Sequence, residues 1–255
     1  MGLLLVLSFL GLGAWWLLLR SQPGPFSRVH SESWRVGDAV FAGVLAGFLL
    51  LLFVAGGDQN AKMTPDAVNG TITLDLMLLA VVLVTIASHG ISLREVFGLA
   101  PARPLLVLGM GVLCLAATYP IFMLAGEVAL KLGHSVSDDA DTVKYLLGPL
   151  KPQDKAAAIL LAVVVAPLVE EFIFRGFLYG VTKKFAGAWA AMATSGLVFA
   201  AIHQNLPALP AYFLLASGLT LAYERTGSIW TPIAMHVLFN AITVIVIFFF
   251  PQWIH

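Results

Sequence analysis

The sequence predicts an all-α, polytopic membrane protein, a bundle of about eight transmembrane helices with an intramembrane polar cavity. Three observations carry that prediction. Apolar residues make up 60% of the 255-residue chain and charged residues only 11%, with a mean hydropathy of +0.93, outside the range of soluble domains. The apolar residues fall in long runs separated by short polar punctuation. Three of those runs carry ionisable or amide side chains at depths where charge is costly.

Each run is about the 20 residues a crossing needs, and eight are predicted: 2–19, 37–56, 72–89, 105–126, 156–180, 186–204, 208–223 and 229–250. The first lacks the basic n-region and A-x-A-like site of a secretory signal, so it reads as a retained helix. Trp15 and Trp16, just before Arg20, are predicted interfacial anchors. The third and seventh runs are short, which predicts tilt or partial crossing. Pro23, Pro25, Gly56-Gly57, Pro101, Pro104, Pro207, Pro210 and Gly227 punctuate the joints. The longest polar stretch, 127–155, is predicted to carry a short amphipathic helix near 139–147 at the interface. His134 there stands with Asp138, Asp139 and Asp141, but their spacing fits no defined cation motif, so the stretch reads as an acidic, solvated loop. No internal repeat or soluble domain interrupts the chain. It reads as one membrane domain over 1–255, with its chemistry in 156–245.

Charge narrows the partners. Net charge is zero, which gives no electrostatic footprint for nucleic acid. The lone Cys114, in an apolar run, reads as a packing residue. If alternate loops share a side, Arg20, Arg28, Arg35, Arg94, Arg103, Lys183, Lys184 and Arg225 face Lys62, Lys131, Lys144, Lys151 and Lys155 across the membrane, which favours the first side as cytoplasmic.

The candidate chemistry begins at Glu170-Glu171-x-x-x-Arg175. An intramembrane carboxylate costs on the order of 2.5–3.5 kcal/mol on insertion scales and is a functional candidate by default. Adjacent helical residues point about 100° apart, so the two glutamates are expected to have separate tasks. Glu171 and Arg175, at i and i+4 with Glu first, are placed to pair, leaving Glu170 facing elsewhere. Pro167 is expected to bend the helix beside them. A second cluster, Phe199 to His203, ends the sixth run, and His236 and Asn240 share one face of the eighth. At 1.5 Å per residue, Glu170 and His203 lie roughly 20 and 25 Å from one membrane face, but His236 only about 10 Å. Convergence therefore needs a short seventh crossing or tilted helices. The other histidines, His30, His89 and His255, have no partner in sequence that suggests chemistry.

Missing motifs exclude several rivals. There is no H-E-x-x-H, Walker loop or dinucleotide fingerprint. Ser195 and Ser217 precede glycines without the flanking pattern of a nucleophile elbow. No aspartic dyad is legible.

The order E-E-x-x-x-R, F-x-x-x-H, H-x-x-x-N, read here as Glu170-Glu171…Arg175, Phe199…His203 and His236…Asn240, resembles the CAAX protease and bacteriocin-processing family of intramembrane endopeptidases, relatives of the Ras-converting CAAX endoprotease. The likeness covers about residues 156–245. It implies a membrane protease cleaving near the C-terminus of a peptide or protein, in some members after a prenylated cysteine. It implies that Glu170 and His203 activate a water, that His236 and Asn240 stabilise the oxyanion, and that Glu171, Arg175 and Phe199 support them. An apolar setting suits a carboxylate to the role of base, and amide and imidazole N–H groups suit an oxyanion. No metal is assigned. A divalent ion such as zinc would draw on Glu170, His203 and His236, but Asn240 is a poor zinc ligand and Glu170 cannot easily be both ligand and base, which favours the metal-free route. The expected partners are a peptide or protein substrate and membrane lipid. Two alternatives follow from the same residues: a non-proteolytic immunity factor or scaffold, and a small proton-coupled transporter. The second lacks any sign of an inverted repeat.

Overall fold

The computed structural model describes residues 2–20, 26, 28–55, 63–100, 103–132 and 145–250. Within them the chain forms α1 (Gly2–Arg20), α2 (Val36–Ala55), α3 (Pro65–Ser88), a short α4 (Leu93–Val96), α5 (Pro104–Lys131), a long α6 (Pro152–Ala186), α7 (Ala188–Ile202), α8 (Leu209–Thr226) and α9 (Trp230–Phe249), and no strand among the described residues. The eight apolar runs are thus all helical. Four helices, α3, α5, α6 and α9, are long and apolar enough to cross a membrane, and α1, α2 and α7 are shorter apolar helices. The protein is an integral, multi-pass membrane protein. The stretch 133–144, with His134 and the three aspartates, lies outside the described residues; 145–147 is helical.

Start and stop signals are local. Thr64 accepts from Ala67 N–H to open α3, with Pro65 at the first position. Gly227 closes α8 in the left-handed conformation. Pro120 sits inside α5 without ending it.

The core lies between α6 and its neighbours. Phe172, Ile173, Phe174, Phe177 and Val169 of α6 pack with Leu79, Val82 and Ile86 of α3, Ala42 and Leu45 of α2 and Val198 and Phe199 of α7. A second cluster joins Trp15 of α1, Cys114 and Leu115 of α5, Leu215 and Leu219 of α8 and Met235 and Phe239 of α9. Leucines and valines on the outward faces of α1, α2, α3 and α5 stay exposed, as expected of surfaces that meet lipid.

The two tryptophans of α1 part ways. Trp16 is exposed and lies beneath the Arg20 guanidinium, 4.9 Å from ring centroid to cation, as an interfacial anchor should. Trp15 instead is buried, its indole N–H donating to Thr118 Oγ1 at 3.1 Å. Packing α1 on α5 turns that face inward. His89 also gains a partner: its Nδ1 lies 2.6 Å from the buried Asp38 carboxylate, which also accepts the Arg35 N–H. Together they clamp the start of α2 to the end of α3.

Candidate active site

The local sequence begins to build the site at Pro167. Leu161–Val165 is a π-helical turn, in which Ala166 N–H bonds the carbonyl five residues back, at Leu161. The next donor in that ladder would be Pro167, which has no N–H. The Ala162 carbonyl is therefore freed, and Asn240 Nδ2 donates to it at 2.7 Å. The helix is widened just before Pro167, and the freed carbonyl ties α6 to α9, where unsatisfied backbone within a membrane is costly.

A second π-helical stretch, Glu171–Tyr179, follows after the α-helical turn Ala166–Glu170. Arg175 Nη1 donates to Glu171 Oε1 at 3.0 Å, both side chains being buried. Arg175 Nη2 reaches the Ala216 carbonyl of α8 at 3.4 Å, and its guanidinium lies over the Phe199 ring of α7 at 4.4 Å. Ser195 Oγ donates to the Phe174 carbonyl of this stretch, and Ser217 Oγ to that of Phe213. Both serines serve the backbone.

His236 is held from both sides. Its Nδ1 donates to Glu171 Oε1 at 2.8 Å, and its Nε2 lies 3.9 Å from Glu170 Oε2. The two glutamates do point apart, yet both meet the same imidazole, one at each ring nitrogen. Their tasks are linked through His236, which the spacing of adjacent residues did not reveal. Glu171 and His236 are buried, whereas Glu170 keeps 22% of its side-chain surface exposed.

His203 ends α7 and is half-buried. Its Nδ1 lies 2.8 Å from the Phe199 carbonyl. A carbonyl only accepts, so Nδ1 carries the proton and Nε2 presents a lone pair. The ring stacks on Tyr212 of α8, centroids 4.3 Å apart. Phe199 packs against both histidines, 4.7 Å from His203 and 5.9 Å from His236 by ring centroid. That phenyl ring thus supports Arg175 and touches both imidazoles.

The shallow depth counted for His236 is resolved by where α9 begins. Ser228, Ile229 and Thr231 are buried. The segment around α4 covers them: Ile229 N–H bonds the Phe97 carbonyl at 2.9 Å, Ser228 Oγ that of Gly98 and Trp230 Nε1 that of Leu99. The first turn of α9 therefore starts inside the protein. Gly98 allows this approach, because a Cβ there would stand 1.9 Å from the Gly227 carbonyl oxygen.

Glu170, Glu171, Arg175, Phe199, His203 and His236 thus form one linked group, and Asn240 stands one turn along α9 from His236. One carboxylate escaped the sequence reading. Asp75, half-buried in α3, acts electrostatically on Glu170; its signal was a lone acidic residue in an apolar run.

A three-ligand zinc centre needs converging donors. The Nε2 atoms of both histidines have suitable chemistry, with Nδ1 anchored as metal-bound histidines commonly are. However, among the described residues no three His, Cys, Asp or Glu side chains converge on one point. As arranged, the residues do not fit such a centre.

Residues 152–242 match the family model described as "Type II CAAX prenyl endopeptidase Rce1-like". That stretch is Rce1-like. It contains every residue of the linked group. Two curated relatives are similar over part of their length. The "Putative membrane peptidase YdiL" of Bacillus subtilis is 31% identical over 87 residues, 34% of this chain and 36% of the relative. The "Membrane-embedded CAAX protease MroQ" of Staphylococcus aureus is 30% identical over 93 residues, 34% of this chain and 38% of the relative. The chain thus spans little more than a third of the curated relatives it matches. No solved structure matches it. The Rce1-like stretch covers α6 to most of α9; α1 to α5 lie outside it.

Proposed function

We propose that the chain is an intramembrane endopeptidase that hydrolyses a peptide bond near the C-terminus of a peptide or protein, with Glu170 as the base that activates water. The observation behind this reading is the position of Glu170. It is the carboxylate left outside the Glu171–Arg175 pair, it is accessible, and His236 Nε2 stands 3.9 Å away.

In this scheme Glu170 takes a proton from water as the oxygen attacks the scissile carbonyl carbon. His203 Nε2, with its lone pair, assists the same water. The oxyanion is met by the second N–H of the Asn240 amide, the first being committed to Ala162, and by His236 Nε2–H when that ring is doubly protonated. The imidazolium charge is balanced by Glu171, whose carboxylate accepts from Nδ1. Collapse of the tetrahedral species breaks the C–N bond, and the proton held by Glu170 passes to the leaving amine. The water ends as the new carboxylate and amine, and no side-chain nucleophile is consumed. The Rce1-like likeness and the name of the Staphylococcus aureus relative support a C-a-a-X peptide, prenylated on its cysteine, as the substrate class.

The test uses the full chain in lipid nanodiscs with a farnesylated C-a-a-X peptide and its unprenylated counterpart. Glu170→Gln is expected to lower kcat on the order of 10²–10⁴-fold, as loss of a general base does, with membrane insertion and unfolding temperature retained. Undiminished cleavage by that variant would overturn the assignment.

A further inference from the structure

Asp75 has an environment that the proposed chemistry leaves unexplained. It lies on the face of α3 shared by Val68, Leu79, Val82 and Ile86, at spacings of −7, +4, +7 and +11, and all four of those residues are buried. Val68 packs in the cluster containing Leu161 and Ala158 of α6, and Leu79 in the cluster containing Val169 and Ile173. Asp75 falls between them on α3, one turn before Leu79, and Val169 and Ile173 flank Glu170 on α6. Because α3 packs against the Ala166–Glu170 turn, Asp75 stands on a helix facing Glu170 and within electrostatic reach of it.

The charges in reach of Glu170 are His236, Glu171, Arg175 and Asp75. Arg175 and His236 both donate to Glu171 by direct hydrogen bonds. Asp75 has no hydrogen-bond or ion-pair partner among the described residues. Three carboxylates therefore stand against one arginine and one histidine. Glu170 and Asp75, on facing helices, are left without a dedicated cation. An unpaired carboxylate at this depth is expensive and marks a functional position, and a cation between two carboxylates relieves both.

We propose that Asp75 is a specificity-determining residue that selects, together with Glu170, a basic side chain near the scissile bond of the substrate. This rests on the endopeptidase reading for its purpose, though not for its measurement. Because α3 lies outside the Rce1-like stretch, the preference belongs to the part of the chain that the family likeness does not cover.

The test measures binding and cleavage separately. Farnesylated peptides carry one lysine, or norleucine in its place, moved through the three residues on either side of the cysteine. Their Kd is measured for the full chain in nanodiscs of neutral lipid. At one or more positions lysine is expected to tighten binding about tenfold over norleucine, the scale of one partly screened ion pair. Asp75→Asn removes the lysine advantage and Asp75→Glu restores it, with norleucine peptides little affected. Equal binding of lysine and norleucine peptides by the unaltered chain overturns the proposal, and that comparison needs no variant to fold. So does a lysine advantage that survives in Asp75→Asn. Cleavage is read in the same samples: its absence for every peptide removes the endopeptidase reading while leaving the binding result intact.

Discussion

Arg175 shows how much one buried side chain holds. Its guanidinium bonds Glu171, reaches the Ala216 carbonyl and lies over Phe199, so it touches two helices besides its own. Removing one member of a buried ion pair leaves the other charge uncompensated, at about 3–5 kcal/mol. Arg175→Met is expected to lose stability on that scale by chemical unfolding in detergent. Arg175→Lys recovers only part of it, since an ammonium cannot serve the two acceptors with one planar fork. Asn240 separates two roles in one residue. Asn240→Ala strands the Ala162 carbonyl and is expected to cost about 1–3 kcal/mol of stability. If its second N–H also meets the oxyanion, kcat falls on the order of 10²–10³-fold with KM little changed. A change in KM alone would place Asn240 in substrate binding. The glutamate pair, Arg175 and both histidines were legible as residues, because charge in an apolar run is conspicuous. That Glu170 and Glu171 flank one imidazole was not, since local spacing gives directions on one helix and says nothing about what another helix brings there.

The elements depend on irregular backbone. Proline 167 frees a carbonyl, and the π-helical turns before and after it place Glu170 between two widened stretches of α6. The sequence pointed to a disturbed helix at Pro167, but not to the Asn240 amide of α9 that donates to the carbonyl freed there. At the start of α9, Gly98 with φ of +59° meets the Gly227 carbonyl oxygen so closely that no side chain fits. Gly98→Ala is expected to lift α4 from the first turn of α9. The result would be a lower unfolding temperature and reduced activity, although the residue touches none of the linked group; hydrogen exchange at 229–233 should rise first. An unchanged exchange pattern would mean α9 is held without that cover.

At the scale of the molecule, α1, α2, α3 and α5 present their exposed leucines and valines outward, and the polar residues turn inward to α6 and α9. One tie at the end of the bundle is open to water: Glu32 bonds Lys184, which holds its carboxyl below the ordinary glutamate range. A group whose native value is depressed stabilises the fold above its unfolded value and loses that contribution as pH falls through the native one. Glu32 is exposed, so the effect is small and screened by salt. Glu32→Gln is expected to shift the unfolding midpoint slightly at neutral pH and low salt, and not at all once both states of the glutamate are protonated. A shift that persists in acid would assign the effect to packing rather than charge.

The sequence by itself determined that the chain is helical and membrane-embedded, where its apolar runs lie, and which side chains carry the costly polarity. Those follow from composition and period, properties each segment has alone. Tertiary structure decided the rest: the approach of His236 on α9 to Glu170 on α6, the phenyl ring packed against both histidines, the inward turn of Trp15, and the packing of α3, with Asp75, on the turn that carries Glu170. Each depends on which helix faces which and how deep it begins, quantities fixed by contacts between segments far apart in sequence.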